Sequence, residues 1–297
     1  MLILRTQVPP GFVHRFPVPS GPGGPLFSAM PAPAVALLLP GMSLNATIFP
    51  ALPIPTLSPT FSRFAPDASG MDPYVAHLGA LTATSAWREA RTRIVVGHSF
   101  GGMLALAWLL ARPDAASSIH GLVLIGTTAG PMFDAVRLRV AWWRSHAVRV
   151  GIRPFLPFWN GRRVTRALHR LLNGGAATNG TVNFRALPHH DDIRVGLAGW
   201  QATGWEARRA FRAAMDGFDV RGRLGEIGLP AIVLHGARDC YFPESTARAL
   251  ADGLPAGELR VLPEAGHVLP LTHGAAVVRA VTDLLRTAGY ASAASSV

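Results

Sequence analysis

Short runs of continuous apolar residues, each closed by a turn residue, recur along the chain with longer amphipathic stretches between them. Ala34-Val35-Ala36-Leu37-Leu38-Leu39 ends at Pro40-Gly41, and Arg93-Ile94-Val95-Val96 ends at Gly97. Residues 121–125, 231–234 and 259–262 repeat the pattern, the last followed by Pro263. An apolar run without alternation reads as a strand buried on both faces. Between the runs, residues 102–111, stopped by Pro113, and 275–285 carry apolar side chains at helical spacing. Strands alternating with helices predict an α/β fold with a mostly parallel central sheet flanked by helices. Residues 1–30 are rich in Pro and Gly and offer only weak strands near 2–5 and 14–18, so they form a separate N-terminal segment.

One connection is too long for this pattern. About 100 residues separate Thr128 from Leu229, where a crossover takes a few tens. Val136, Val140, Trp143, Ala147 and Val150 follow one another at helical spacing within it, which makes one apolar helix face. The excess therefore predicts an inserted helical subdomain over 131–205, with the core carried by 31–130 and 206–297. No internal repeat is visible.

Composition narrows the chemistry. With 49% hydrophobic and 15% charged residues among 297, the chain is no disordered protein. All 28 basic residues are arginine, which removes Schiff-base lysines and the lysine of a phosphate-binding loop. A single cysteine excludes an intramolecular disulfide and any multi-cysteine metal site. The formal charge of +11 is concentrated, because residues 131–205 hold eleven arginines against three aspartates. Three readings of that stretch stay open: recognition of an anionic or carrier-bound substrate, contact with an anionic membrane surface, or a solvated arginine-rich surface. No recognition motif accompanies the charge, so nucleic acid is not an expected partner. The N-terminus lacks the apolar core of a secretion signal, and the 32–39 run is too short to span a bilayer, so the expected location is the cytoplasm.

Gly97-His98-Ser99-Phe100-Gly101 fits the pattern G-x-S-x-G after an expected strand and before an expected helix, the setting of a nucleophile elbow. Gly97 and Gly101 must be small for strand and helix to pass closely, and the turn lifts the Ser99 hydroxyl above the sheet edge. A serine needs a base, and the base needs a carboxylate to hold its tautomer. Asp239 follows the 231–234 run and His267 follows the 259–262 run. Both fall beyond strand ends on the edge where open α/β sheets bind ligands, and the order Ser99, Asp239, His267 suits this motif.

On these residues, Gly97 to Gly102, His235-Gly236-Ala237-Arg238-Asp239 and Gly266-His267, the chain resembles the α/β-hydrolase fold superfamily over roughly residues 32–290. The resemblance implies a serine hydrolase, carboxylesterase-like, with a cap inserted after the sixth strand. It also implies an oxyanion hole made by the backbone N–H groups of Met42 and Phe100; here Pro40 precedes Gly41 where the family usually has histidine. The stretch Gly41-Met42-Ser43-Leu44-Asn45-Ala46 is similar to the oxyanion loop of some carboxylesterases, including those acting on carrier-bound methyl esters. The serine at the elbow argues against the dehalogenase and epoxide hydrolase branches, which carry aspartate there.

The expected function is hydrolysis of a carboxylic ester or related acyl compound through an acyl-enzyme on Ser99, with no cofactor and no metal. An acyltransferase, a carbon–carbon bond hydrolase on the same triad, and a non-catalytic ligand-binding protein on this scaffold are the alternatives. His98 is expected as a structural neighbour rather than a second base, Cys240 as a small half-buried residue, and His273 near the start of the last helix. His189-His190-Asp191-Asp192 lacks a second ligand group at metal-site spacing. Trp142, Trp143, Trp200 and Trp205 are candidates for an acyl pocket or for cap packing.

Overall fold

The computed structural model describes residues 34–61, 64, 70–131, 203–239 and 241–290. Among the described residues, six strands form one sheet: β1 (Ala34–Leu39), β2 (Thr56–Leu57), β3 (Thr92–His98), β4 (Gly121–Ile125), β5 (Ala231–Gly236) and β6 (Gly257–Leu262). Their order is β2-β1-β3-β4-β5-β6, and every neighbouring pair is parallel. This is the α/β architecture that the apolar runs predict. The two weak strands expected near residues 2–5 and 14–18 lie outside the described residues. Most of the expected cap at 131–205 also lies outside them, as do Trp142, Trp143, Trp200, the His189-His190 pair and Cys240.

Continuous apolar sequence in β1, β3, β4 and β5 serves two cores at once. Val35, Leu37, Leu39, Val95, Leu122, Leu124 and Val233 face one core. Ala36, Leu38, Ile94, Val96, Val123, Ile125 and Ile232 alternate with them and face the other. The first core is covered by α1 (Asp72–Thr82), α3 (Phe100–Ala111), α5 (Trp205–Asp216) and α6 (Glu244–Gly253), with two four-residue helices, α2 (Ser85–Arg88) and α4 (Pro113–Ala116), at its margin. The second is covered by α8 (Gly274–Thr287), which follows the short α7 (Leu269–Thr272).

α3 is apolar on all sides and is buried along ten of its twelve residues, as a helix at the centre of a layer must be. It ends at Ala111, two residues before Pro113, whose ring would clash with a continuing helix. Pro113 then takes the first position of α4, where its missing N–H costs nothing. α8 buries Ala276, Val277, Ala280, Val281, Leu284 and Leu285, a single stripe; each large one is worth about 2 kcal/mol of apolar transfer.

The register explains why the strand ends matter. Leu39 pairs with Gly97, His98 with Ile125, Ile125 with Leu234, and Gly236 with Leu262. Four central strands therefore finish level, and the chain leaves each one at the same carboxyl edge. Two strands run further than their apolar runs suggest: β3 takes in Gly97 and His98, and β5 takes in His235 and Gly236. Ladder pairing, rather than side-chain hydrophobicity, carries those last residues.

Candidate active site

Ser99 sits between the end of β3 and the first residue of α3 with φ 52° and ψ −118°. A positive φ in a non-glycine residue costs about 1–3 kcal/mol and persists only where the surroundings enforce it. The enforcement is visible on both sides of the turn. A Cβ on Gly101 would lie 1.9 Å from the Leu39 carbonyl oxygen, and one on Gly97 would lie 2.7 Å from the Gly101 oxygen. Strand and helix thus approach as closely as backbone allows. The Ser99 N–H donates to the Ile125 carbonyl at 2.9 Å, and the Thr127 hydroxyl donates to the Ser99 carbonyl at 2.7 Å. Ser99 thus lies on a sharp strand–turn–helix connection, and Thr127 is a support for it that no local pattern announces.

Phe100 opens α3, so its N–H belongs to the first turn, whose amides have no intrahelical acceptor. Met42 lies half-buried in the turn after β1, which closes through Leu44 N–H to the Gly41 carbonyl at 3.1 Å. Ser43 takes φ 64° in that turn, a left-handed conformation that its sequence does not signal. Asn45 caps the short 3-10 turn at Ala46–Ile48.

Asp239 and His267 are brought together across two loops. The Asp239 side chain is fully buried. Its Oδ1 accepts the N–H groups of Tyr241 and Phe242 at 2.7 and 3.0 Å, and its Oδ2 lies 2.9 Å from His267 Nδ1. Burial alone would raise the carboxyl. The His267 charge, its hydrogen bond and the two backbone N–H bonds outweigh that and bring it to about 2. An ionised carboxylate only accepts, so the proton of this bond belongs to Nδ1, and in the neutral ring Nε2 is the basic nitrogen. Tyr241 covers one flank of His267 with ring centroids 4.6 Å apart. The aspartate-centred turn through Tyr241 and Phe242 is the signal that could have singled these two out.

His98 is fully buried, and its Nε2 lies 3.0 Å from the His267 carbonyl oxygen. Burial foremost, with the neighbouring His267 charge, pushes its imidazole down to about 3. It is a neutral neighbour of the site, in line with expectation. His273 occupies the N-cap position of α8, without a side-chain capping bond. Among the described residues no cluster of three or more His, Cys, Asp or Glu is placed to hold a metal ion, and no helix is long and apolar enough to cross a membrane.

A parallel sheet carries a strained serine turn and a buried Asp–His couple at its carboxyl edge. The model of the α/β hydrolase fold matches residues 90–274, and the chain belongs to that family. Its curated relatives are named as esterases and hydrolases. One is a pimeloyl-[acyl-carrier protein] methyl ester esterase of Chromobacterium violaceum, 29% identical over 195 residues, which cover 65% of this chain and 70% of that protein. Another is a 2-hydroxymuconate semialdehyde hydrolase of a Pseudomonas species, 28% identical over 201 residues, which cover 67% of this chain and 63% of that one. Among solved structures, a thermophilic esterase from Thermogutta terrifontis superposes with a TM-score of 0.58 at 18% identity, covering 86% of this chain and 90% of its own.

Proposed function

We propose that the protein is a serine hydrolase that cleaves a carboxylic ester or related acyl compound through an acyl-enzyme on Ser99. Ser99 Oγ attacks the carbonyl carbon as His267 Nε2 takes its proton, and His267 returns that proton to the leaving alcohol. Asp239 fixes the tautomer through Nδ1–H and stabilises the imidazolium. The N–H groups of Met42 and Phe100 take the negative charge that develops on the carbonyl oxygen. Water then attacks the acyl carbon with His267 again as base, and Ser99 leaves with its proton restored.

The observation that carries this reading is the fully buried carboxylate 2.9 Å from His267 Nδ1. That couple leaves the same sheet edge as a serine held at φ 52°. A structural ion pair would need no strained serine beside it. The arginine excess in residues 131–205 and the carrier-bound ester named for the Chromobacterium relative favour an anionic or carrier-bound acyl group. The name of the Pseudomonas relative, a semialdehyde hydrolase, supports a second reading, in which the same serine attacks such a carbonyl and a carbon–carbon bond breaks.

The test is hydrolysis of chromogenic esters from acetyl to dodecanoyl by the wild type and by Ser99→Ala. The expected loss is about 10⁴-fold or more in the variant, and the preferred chain length sizes the acyl pocket. A wild type that hydrolyses none of them, yet cleaves 2-hydroxymuconate semialdehyde, would turn the assignment to the second reading.

A further inference from the structure

His98 stands beside Ser99, and the proposed reaction gives it no part. Its Nε2 lies 3.0 Å from the carbonyl oxygen of His267, 169 residues further along the chain. A carbonyl oxygen only accepts, so Nε2 carries the proton and the ring is held in one tautomer. Nδ1 is then a bare lone pair, buried and without a hydrogen-bond partner among the described residues. A Cβ on Gly41 would lie 2.9 Å from that atom. The imidazole is therefore wedged between the turn that carries Met42 and the turn that carries His267. Its ring centroid is 5.0 Å from that of His267.

Two further hydrogen bonds on the His267 turn run elsewhere. Ala237 N–H donates to the Leu262 carbonyl and Arg238 N–H to the Ala265 carbonyl, each at 3.0 Å. Those bonds tie the turn to the strand that delivers Asp239, and so they set the Asp–His distance. The His98 bond runs instead to the strand that delivers Ser99. Serine and base come from different strands, β3 and β6, with β4 and β5 between them.

We propose that His98 is a positioning residue, whose Nε2–H bond to the His267 carbonyl sets the approach of the base to the Ser99 hydroxyl. The proposal rests on the serine hydrolase reading above. It accounts for an imidazole at this place on three grounds. The bond needs a donor at the tip of a side chain long enough to cross from β3 to the turn after β6. It needs a flat ring that fits under Gly41. It also needs a neutral group, because the reaction puts a positive charge on His267, and a second charge at this ring distance would oppose it.

The test compares His98→Gln, which keeps an N–H donor at a similar reach, with His98→Phe, which keeps a flat ring and loses the donor. Each full-length variant is assayed below the melting temperature of the weaker one. His98→Ala, which leaves a hole instead of a misfit, stands in for His98→Phe if that protein does not fold. The expected result is a loss of about 10²-fold in kcat for His98→Phe with KM within about twofold, and recovery to within about threefold in His98→Gln. Low-field proton NMR supplies a readout that needs no substrate. The His267 Nδ1–H resonance should persist in the wild type and in His98→Gln, and shift or broaden in His98→Phe. Equal kinetic losses in both variants, a loss confined to KM, or an unchanged resonance in His98→Phe would each overturn the proposal. If the wild type hydrolyses no ester, the hydrolase reading fails, and the resonance still decides the tether.

Discussion

The elbow around Ser99 and the couple of Asp239 with His267 are two halves of one site built in different ways. The elbow is a local object: five consecutive residues, two of them glycines, force one backbone conformation through contacts as short as 1.9 Å for a missing Cβ. The couple is assembled from residues 28 apart, on turns after β5 and β6 that meet only because their strands finish level. In the first half the strain is in the backbone. In the second the cost is burial of a carboxylate, offset by two backbone N–H bonds and an imidazole. Sterics hold the serine, and electrostatics hold the histidine.

That difference predicts how each half breaks. Asp239→Asn should leave the fold nearly intact, since the amide oxygen can still accept from Tyr241 and Phe242, but kcat should fall about 10⁴-fold as His267 loses its tautomer. Ester kinetics beside a thermal melt check both parts. Gly101→Ala should do the reverse. Its Cβ meets backbone of β1, so the variant should lose at least about 4 kcal/mol of stability, read by urea denaturation, with activity lost as a consequence of unfolding.

A smaller effect separates the halves by pH. The buried imidazole of His98 titrates at about 3 rather than 6.5, so below about pH 6.5 the unfolded chain takes up a proton that the folded one refuses. Stability should therefore fall from this residue as pH drops toward 3, by on the order of 2 kcal/mol between pH 7 and pH 5. His98→Gln should lack that increment, which the difference in urea midpoints at the two pH values would show. The smallest effect lies at the nucleophile itself. Ser99→Gly should be more stable than Ser99→Ala by about 1 kcal/mol, because glycine relieves the φ strain that alanine keeps. Equal melting temperatures would mean that the turn is not strained.

The same division decides what could be read in the sequence. Ser99 was legible because a steric requirement for small neighbours leaves a five-residue trace. Asp239 and His267 were legible because each falls a few residues past an apolar run, on an edge where strand ends collect. The sheet was legible from five of its strands, whereas β2 spans only Thr56–Leu57 and has no periodicity to detect. The bond from His98 to a carbonyl 169 residues away and that from Thr127 to Ser99 depend on ladder register, which no window of sequence contains. The cluster of Phe61, Tyr74, Phe100 and Phe211, with Tyr74 and Phe211 stacked at 5.5 Å, is likewise tertiary, formed by four separate segments.

The measurement that tests the central claim most directly is covalent labelling by a fluorophosphonate, followed by intact mass and peptide mapping, on the wild type and on Ser99→Ala. The account predicts a single adduct on the peptide that carries Ser99, formed quickly by the wild type and absent from the variant. An adduct on another serine, or labelling that survives Ser99→Ala, would contradict it.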